Sequence, residues 1–151
     1  MQTFWFIFTG LACFVGLASC TPETKSPIVQ KLETSELHEL GASCGGTYFA
    51  FDGENLVMVT NGKSEVIQKS VRFTDTGDNR ITMTANYGAL NMVTRYRINS
   101  DATVLNFESF NFDPKLTSEQ LAKLGLRPER ELEAQMRETS PPMVLCPRNT
   151  T

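Results

Sequence analysis

Between Arg80 and Ile98 apolar and polar side chains alternate with a period of two, which commits this stretch to a sheet with one buried and one wet face. In Arg80–Tyr87, the residues Ile81, Met83, Ala85 and Tyr87 share one face, while Arg80, Thr82, Thr84 and Asn86 share the other. In Leu90–Ile98 the apolar face is Leu90, Met92, Tyr96 and Ile98, with Asn91, Arg95 and Arg97 opposite. A slip of one residue would exchange the two faces, so the pairing register is strongly specified.

The flanking sequence extends this pattern. Thr47–Phe51 and Asn55–Thr60 read as strands joined at Asp52-Gly53, and Asn61-Gly62 turns the chain into Glu65–Phe73. Thr74 to Asp78 forms the next connection, Gly88-Ala89 the next hairpin turn, and Asn99-Ser100-Asp101 leads into Thr103–Phe112. In that last strand Leu105 and Phe107 lie on one phase and Phe110 and Phe112 on the other, so a bulge is expected near Glu108-Ser109. The fold expected is mainly β: an antiparallel meander of about six strands, as a curved sheet or small barrel, with short helices at both ends.

The first helix is expected over 28–40. Ser26 caps it, Pro27 opens it, Ile28, Val29, Leu32, Leu37 and Leu40 form its stripe, and Gly41 ends it. His38, the single histidine, then lies between Glu36 and Glu39 as a solvated surface residue. In the tail, Thr117 and Gln120 form a capping box, and Gly125 stops the helix with Leu121 and Leu126 in contact. Pro128 opens a second helix running to about Glu138, with Glu133 and Arg137 at favourable spacing, and Ser140-Pro141-Pro142 stops it.

The chain begins with an uncharged apolar run from Phe4 to Ala18. Fifteen helical residues reach roughly 22 Å, short of the roughly 30 Å hydrocarbon core, which fits a signal-peptide core better than a permanent span. The run ends in Leu17-Ala18-Ser19-Cys20, which resembles a lipobox, the motif at which bacterial lipoproteins are cut and acylated on the cysteine. The resemblance covers these four residues and the apolar run. The chain departs from it in the first three residues, Met-Gln-Thr, which carry no Lys or Arg. What the resemblance implies is a signal peptide over 1–19, lipid on Cys20 and attachment to a membrane. Thr21, where an acidic residue would hold a lipoprotein of a Gram-negative bacterium at the inner membrane, implies an outer-membrane lipoprotein facing the periplasm.

On that reading Cys13 leaves with the signal and Cys20 takes the lipid, so Cys44 and Cys146 remain as two thiols in an oxidising compartment. A disulfide between them is expected; neither has a histidine nearby to favour a metal or nucleophilic role. The loop closed would be worth roughly 4–5 kcal/mol in the chain-entropy model. The organisation expected is a signal peptide at 1–19, a lipidated cysteine and tether at 20–43, and one β-rich domain at 44–151. Removing residues 1–19 from the 151 leaves 132, enough for one domain.

Charge and motifs exclude more than they assign. The formal net charge is −3 with no Lys/Arg block, which gives no sign of nucleic-acid binding. No catalytic triad, phosphate loop or zinc spacing occurs, so neither an enzyme nor a cofactor is expected. Asp75 and Asp78 read as turn residues in preference to calcium ligands.

One constellation follows from pairing the strands. Arg72 falls opposite Arg80 through the 74–79 turn, and Arg80 opposite Arg97 with Arg95 diagonal. Like charges in opposition destabilise a sheet, so the row Arg72, Arg80, Arg95 and Arg97 calls for an anionic group on a ligand or envelope partner. The alternative is internal neutralisation by Glu129, Glu131 and Glu133 of the last helix, or by Glu65 and Glu108. Two other classes fit the same plan: a lipocalin-like carrier of an apolar ligand, and an inhibitor of an exported enzyme. For the latter, Tyr48 to Val59 is similar to the opening strands of small disulfide-stapled β-barrel lipoproteins that inhibit lysozyme. The chain has no counterpart to their later Gly-Ala-Arg-Tyr type loop.

The lipobox reading is tested directly. Cys20→Ser is expected to abolish labelling by a radioactive fatty acid and to release the protein from membranes; a variant that stays bound with its N-terminal segment intact would refute it.

Overall fold

The computed structural model describes residues 25–148; Cys20 and the expected signal peptide lie outside them. Its nine strands are β1 (Ser35–Glu39), β2 (Tyr48–Asp52), β3 (Asn55–Thr60), β4 (Lys63–Gln68), β5 (Arg72–Gly77), β6 (Arg80–Tyr87), β7 (Leu90–Ile98), β8 (Val104–Asp113) and β9 (Met143–Pro147). They form one antiparallel sheet in the order β4-β3-β2-β1-β9-β8-β7-β6-β5. Three helices accompany it: α1 (Pro27–Thr34), α2 (Ser118–Lys123) and α3 (Glu129–Thr139). The mainly β class is as the sequence predicts; the count is nine strands where the reading expects six.

Two of the extra strands correct the reading of the chain ends. The helix expected over 28–40 is α1 alone. Its Ser26 cap accepts from the Val29 amide at 3.3 Å, and it stops where Ser35 turns extended and its hydroxyl donates to the Lys31 carbonyl at 2.7 Å. The chain then becomes β1, hydrogen-bonded to β2 on one side and to β9 on the other. Residues 27–39, expected within the tether, therefore supply a plug helix and a central strand. His38 is correspondingly no surface residue: it is fully buried.

The third extra strand comes from a break. Glu65–Phe73, expected as one strand, divides at Lys69-Ser70-Val71, where Ser70 takes a left-handed φ of 52°. The halves, β4 and β5, are the two ends of the strand order. Both ends carry a bulge, at Ile67 in β4 and at Thr76 in β5, which twists an edge away from further pairing. The sheet curls until these regions meet. Phe51 of β2 packs edge-on against Phe73 of β5 with centroids 4.8 Å apart, and the Val71 amide donates to the Glu54 carbonyl at 2.7 Å. Val29 and Leu32 of α1 fill the space behind this seam.

Register puts the strand residues of the two buried apolar clusters on one concave face. Ala85 pairs with Met92, and Met92 with Phe112. At one end Val29, Leu32, Ile81, Ile98 and Leu145 pack together; at the other, Leu90, Phe110 and Phe112 pack with Leu121 of α2 and Met136 of α3. The tail forms as the sequence predicts. Thr117 and Gln120 make both bonds of a capping box, and the amides of Leu126 and Gly125 return to the carbonyls of Leu121 and Ala122 at 2.9 and 3.0 Å. Cys44 and Cys146 are bonded, with Cα atoms 5.9 Å apart, so the loop after β1 is pinned to β9.

Deleting residues up to 39 removes a strand with partners on both sides, so a chain starting at residue 40 is expected to lose its cooperative thermal transition in circular dichroism. Within the full chain, Leu32→Ala is expected to cost about 2–5 kcal/mol, read from urea denaturation.

Candidate functional site

The predicted arginine row forms only in part. β5 runs on to Gly77, so Arg72 lies opposite Thr84 and not opposite Arg80. It sits exposed at the sheet edge, 3.8 Å from Glu54. Arg80 and Arg97 do face each other. Arg95 lies opposite Thr82 and donates to Asn111 Oδ1 at 2.6 Å.

The group between Arg80 and Arg97 is the carboxylate of Glu108. Pairing passes from Arg95–Ser109 to Tyr96–Phe107, which leaves Glu108 as the extra residue of a bulge at the place the sequence predicts. Its oxygens accept from Arg97 at 2.8 Å and from Arg80 Nε at 3.2 Å. The Arg137 guanidinium of α3 donates to the Glu108 carbonyl at 2.7 Å and to Glu133 at 2.9 Å, and lies over the Phe107 ring. The hydrogen bond from Arg97 is the largest effect holding the Glu108 carboxyl below its ordinary range; burial opposes it, and Arg80 adds a smaller lowering. Of the carboxylates expected to neutralise the row, Glu108 therefore does so. Glu129 instead accepts from the Phe112 amide at 3.3 Å.

On the concave face lies a cavity of about 250 Å³. Every strand except β4 lines it: Leu37, Phe49, Phe51, Leu56, Phe73, Met83, Tyr96, Leu105, Phe107 and Met143 contribute, and Thr139, Ser140 and Pro141 form the rim where α3 gives way to β9. No lining residue is charged. The cavity lies between the two packed clusters, with Leu37, Phe51, Phe73, Met83 and Leu105 shared with the α1 end and Phe107 with the α2–α3 end. The bulge shapes it: without the extra residue, Phe107 and Phe110 could not both face inward.

Tyr96 is the one strand residue of the cavity wall with a polar side-chain group. Its ring meets Phe107 edge-on at 6.3 Å, and burial among apolar side chains pushes its phenol up to about 12. On the opposite face of β1, His38 Nε2 lies 3.1 Å from Glu36 and the ring 5.2 Å from that of Tyr48. His38 Nδ1 and Thr94 Oγ1 are sealed from solvent without a hydrogen-bond partner among the described residues.

Sequence reasoning named Met83 and Tyr96 as inward residues and kept a carrier of an apolar ligand as an alternative, but did not assemble the residues that line the cavity. The signal was present in the inward phases of all strands taken together, with Leu37 as the sole apolar residue of β1. No family model, no curated protein and no solved structure matches this chain.

Because the folded Glu108 carboxyl titrates below 4.5, its ordinary value, its contribution is present above that pH and is lost as pH falls through the lowered value. Glu108→Gln is expected to lower stability by roughly 1 kcal/mol at pH 7 and to flatten the decline in stability below pH ~4.5. Urea titrations at stepped pH check this, and parallel curves for the two proteins would contradict it.

Proposed function

We propose that this chain is a lipid-anchored binding module of a bacterial envelope, in its outer membrane facing the periplasm, that holds a small apolar molecule in the concave cavity of its sheet. The observation that carries the reading is the cavity itself: about 250 Å³, lined by aromatic and aliphatic side chains with no charge among them. It lies just below the range of about 300–1,000 Å³ usual for ligand sites. A cavity of about 150 Å³ takes the six carbons of benzene, about 25 Å³ per atom, so this one suits a ligand of about 10 non-hydrogen atoms.

Apolar cavities left dry in a close-packed interior forfeit contacts on every wall, so an occupant that restores them binds without needing an ionic partner. The anchor supports the same reading. Only residues 21–26 separate Cys20 from α1, and six residues span at most about 20 Å. Lipid on Cys20 would thus hold the cavity close to a membrane from which apolar molecules partition. The alternative of an anionic ligand on the arginines has less support, because Glu108 already occupies the space between Arg80 and Arg97.

A small uncharged naphthalene fluorophore such as 1-naphthylamine is expected to bind with enhanced emission. Leu56→Trp, at a part-exposed lining position, is expected to weaken it at least tenfold while the far-ultraviolet spectrum is unchanged. Equal binding by the two proteins would place the fluorophore elsewhere and remove the support for this reading.

A further inference from the structure

We infer that Tyr96 is the specificity-determining residue of the cavity, donating a hydrogen bond from its hydroxyl to an acceptor oxygen on an uncharged ligand, such as the carbonyl of a ketone, aldehyde or ester. The inference rests on the cavity being the binding site and narrows what enters it.

Three observations carry it. The first is the unused donor. Tyr96 lines the cavity, and none of the side-chain hydrogen bonds of the described residues involves its hydroxyl. Among the described residues, His38 Nδ1 and Thr94 Oγ1 are the only side-chain polar atoms closed off from solvent without a partner. The Tyr96 oxygen has no partner among the described residues and is not one of the sealed atoms, so an incoming molecule can reach it. A ligand acceptor that reaches it exchanges a hydrogen bond to water for one held inside an apolar wall, a modest net gain.

The second is that competing groups are absent, already engaged or confined to the rim. The Thr139 hydroxyl donates to the Gln135 carbonyl at 2.9 Å, and Ser140 stands at the rim. With no Lys, Arg or His in the wall, an ionised carboxylate or phosphate inside would lack a counter-charge and bear the full desolvation penalty. A neutral acceptor does not.

The third is placement. Tyr96 is in the interior of β7, paired with Ile81 and Phe107, and its ring is braced by Phe107 next to the bulge. A donor held on a central strand keeps its direction between free and bound states, so little ordering remains to be done on binding. The phenol, pushed up to about 12, stays protonated and keeps its donor role throughout the physiological range.

The test compares two ligands of the same size and shape. Acetophenone carries a carbonyl where α-methylstyrene carries a methylene. Each is used to displace 1-naphthylamine from the wild-type protein and from Tyr96→Phe. The ketone is expected to bind about fivefold more tightly than the hydrocarbon to wild type. Tyr96→Phe is expected to remove that preference by weakening the ketone alone.

Equal affinities in wild type, or a preference that survives Tyr96→Phe, would overturn the assignment while leaving the cavity as the site. If neither compound displaces the fluorophore, the cavity reading falls and takes this inference with it. Infrared spectroscopy of the bound ketone gives a readout that does not depend on the variant folding. A carbonyl stretch lowered relative to the ketone in alkane is expected, and an unshifted band would overturn the assignment.

Discussion

The concave face depends on a single inserted residue. A strand presents alternate side chains to opposite faces, so Leu105 and Phe107 could not share a side with Phe110 and Phe112 in a regular β8. The bulge at Glu108 absorbs the mismatch. All four then contribute to the concave side, the first pair at the cavity and the second in the cluster under α2 and α3. The same insertion directs a carboxylate to the outer face between Arg80 and Arg97, two guanidiniums that would otherwise repel across the β6–β7 pair. Arg137 closes the arrangement by taking up the Glu108 carbonyl that the bulge removes from the ladder. One residue thus resolves a packing problem inside and a charge problem outside.

The remainder of the architecture surrounds that face with elements distant in sequence. β1 and β9, near opposite ends of the described chain, sit side by side in the middle of the strand order and are tied by the Cys44–Cys146 bond. Their pairing joins the β2–β4 arm to the β5–β8 arm. α1 fills one end of the curl, and α2 with α3 fills the other. The aromatic side chains between these plugs come from both arms, and the space between them stays open. An interior of this size with no charge in its wall suits a neutral guest better than an ionic one.

Much of this was legible in the sequence wherever the determinants were local. The alternation in β6 and β7, the turns at Asn61-Gly62 and Gly88-Ala89, the capping box at Thr117 and the bulge at Glu108 each depend on residues within a short span. What escaped depended on partners far away. Ser35-Glu-Leu-His-Glu39 carries helix-compatible residues and only one apolar side chain; it is a strand because β2 and β9 offer it ladders on both sides. His38 is buried for the same reason. The break at Ser70 has no glycine or proline to announce it, so β4 and β5 read as one strand. That error, with the bulge at Thr76, misplaced Arg72. The Arg80–Arg97 opposition was legible because a two-residue hairpin sets it. The cavity was not, because whether a curled sheet closes on empty space depends on the summed volumes of side chains from eight strands.

Methionine methyl groups report on that space without any substitution. Met83 and Met143 line the cavity, whereas Met58 and Met136 do not. In the protein labelled with carbon-13 at its methionine methyls, xenon under pressure enters dry apolar cavities. Its expected effect is a saturable shift of the Met83 and Met143 resonances with little change at Met58 and Met136. Uniform small shifts across all four, growing linearly with pressure, would mean that the concave face encloses no accessible apolar space, and would contradict the account.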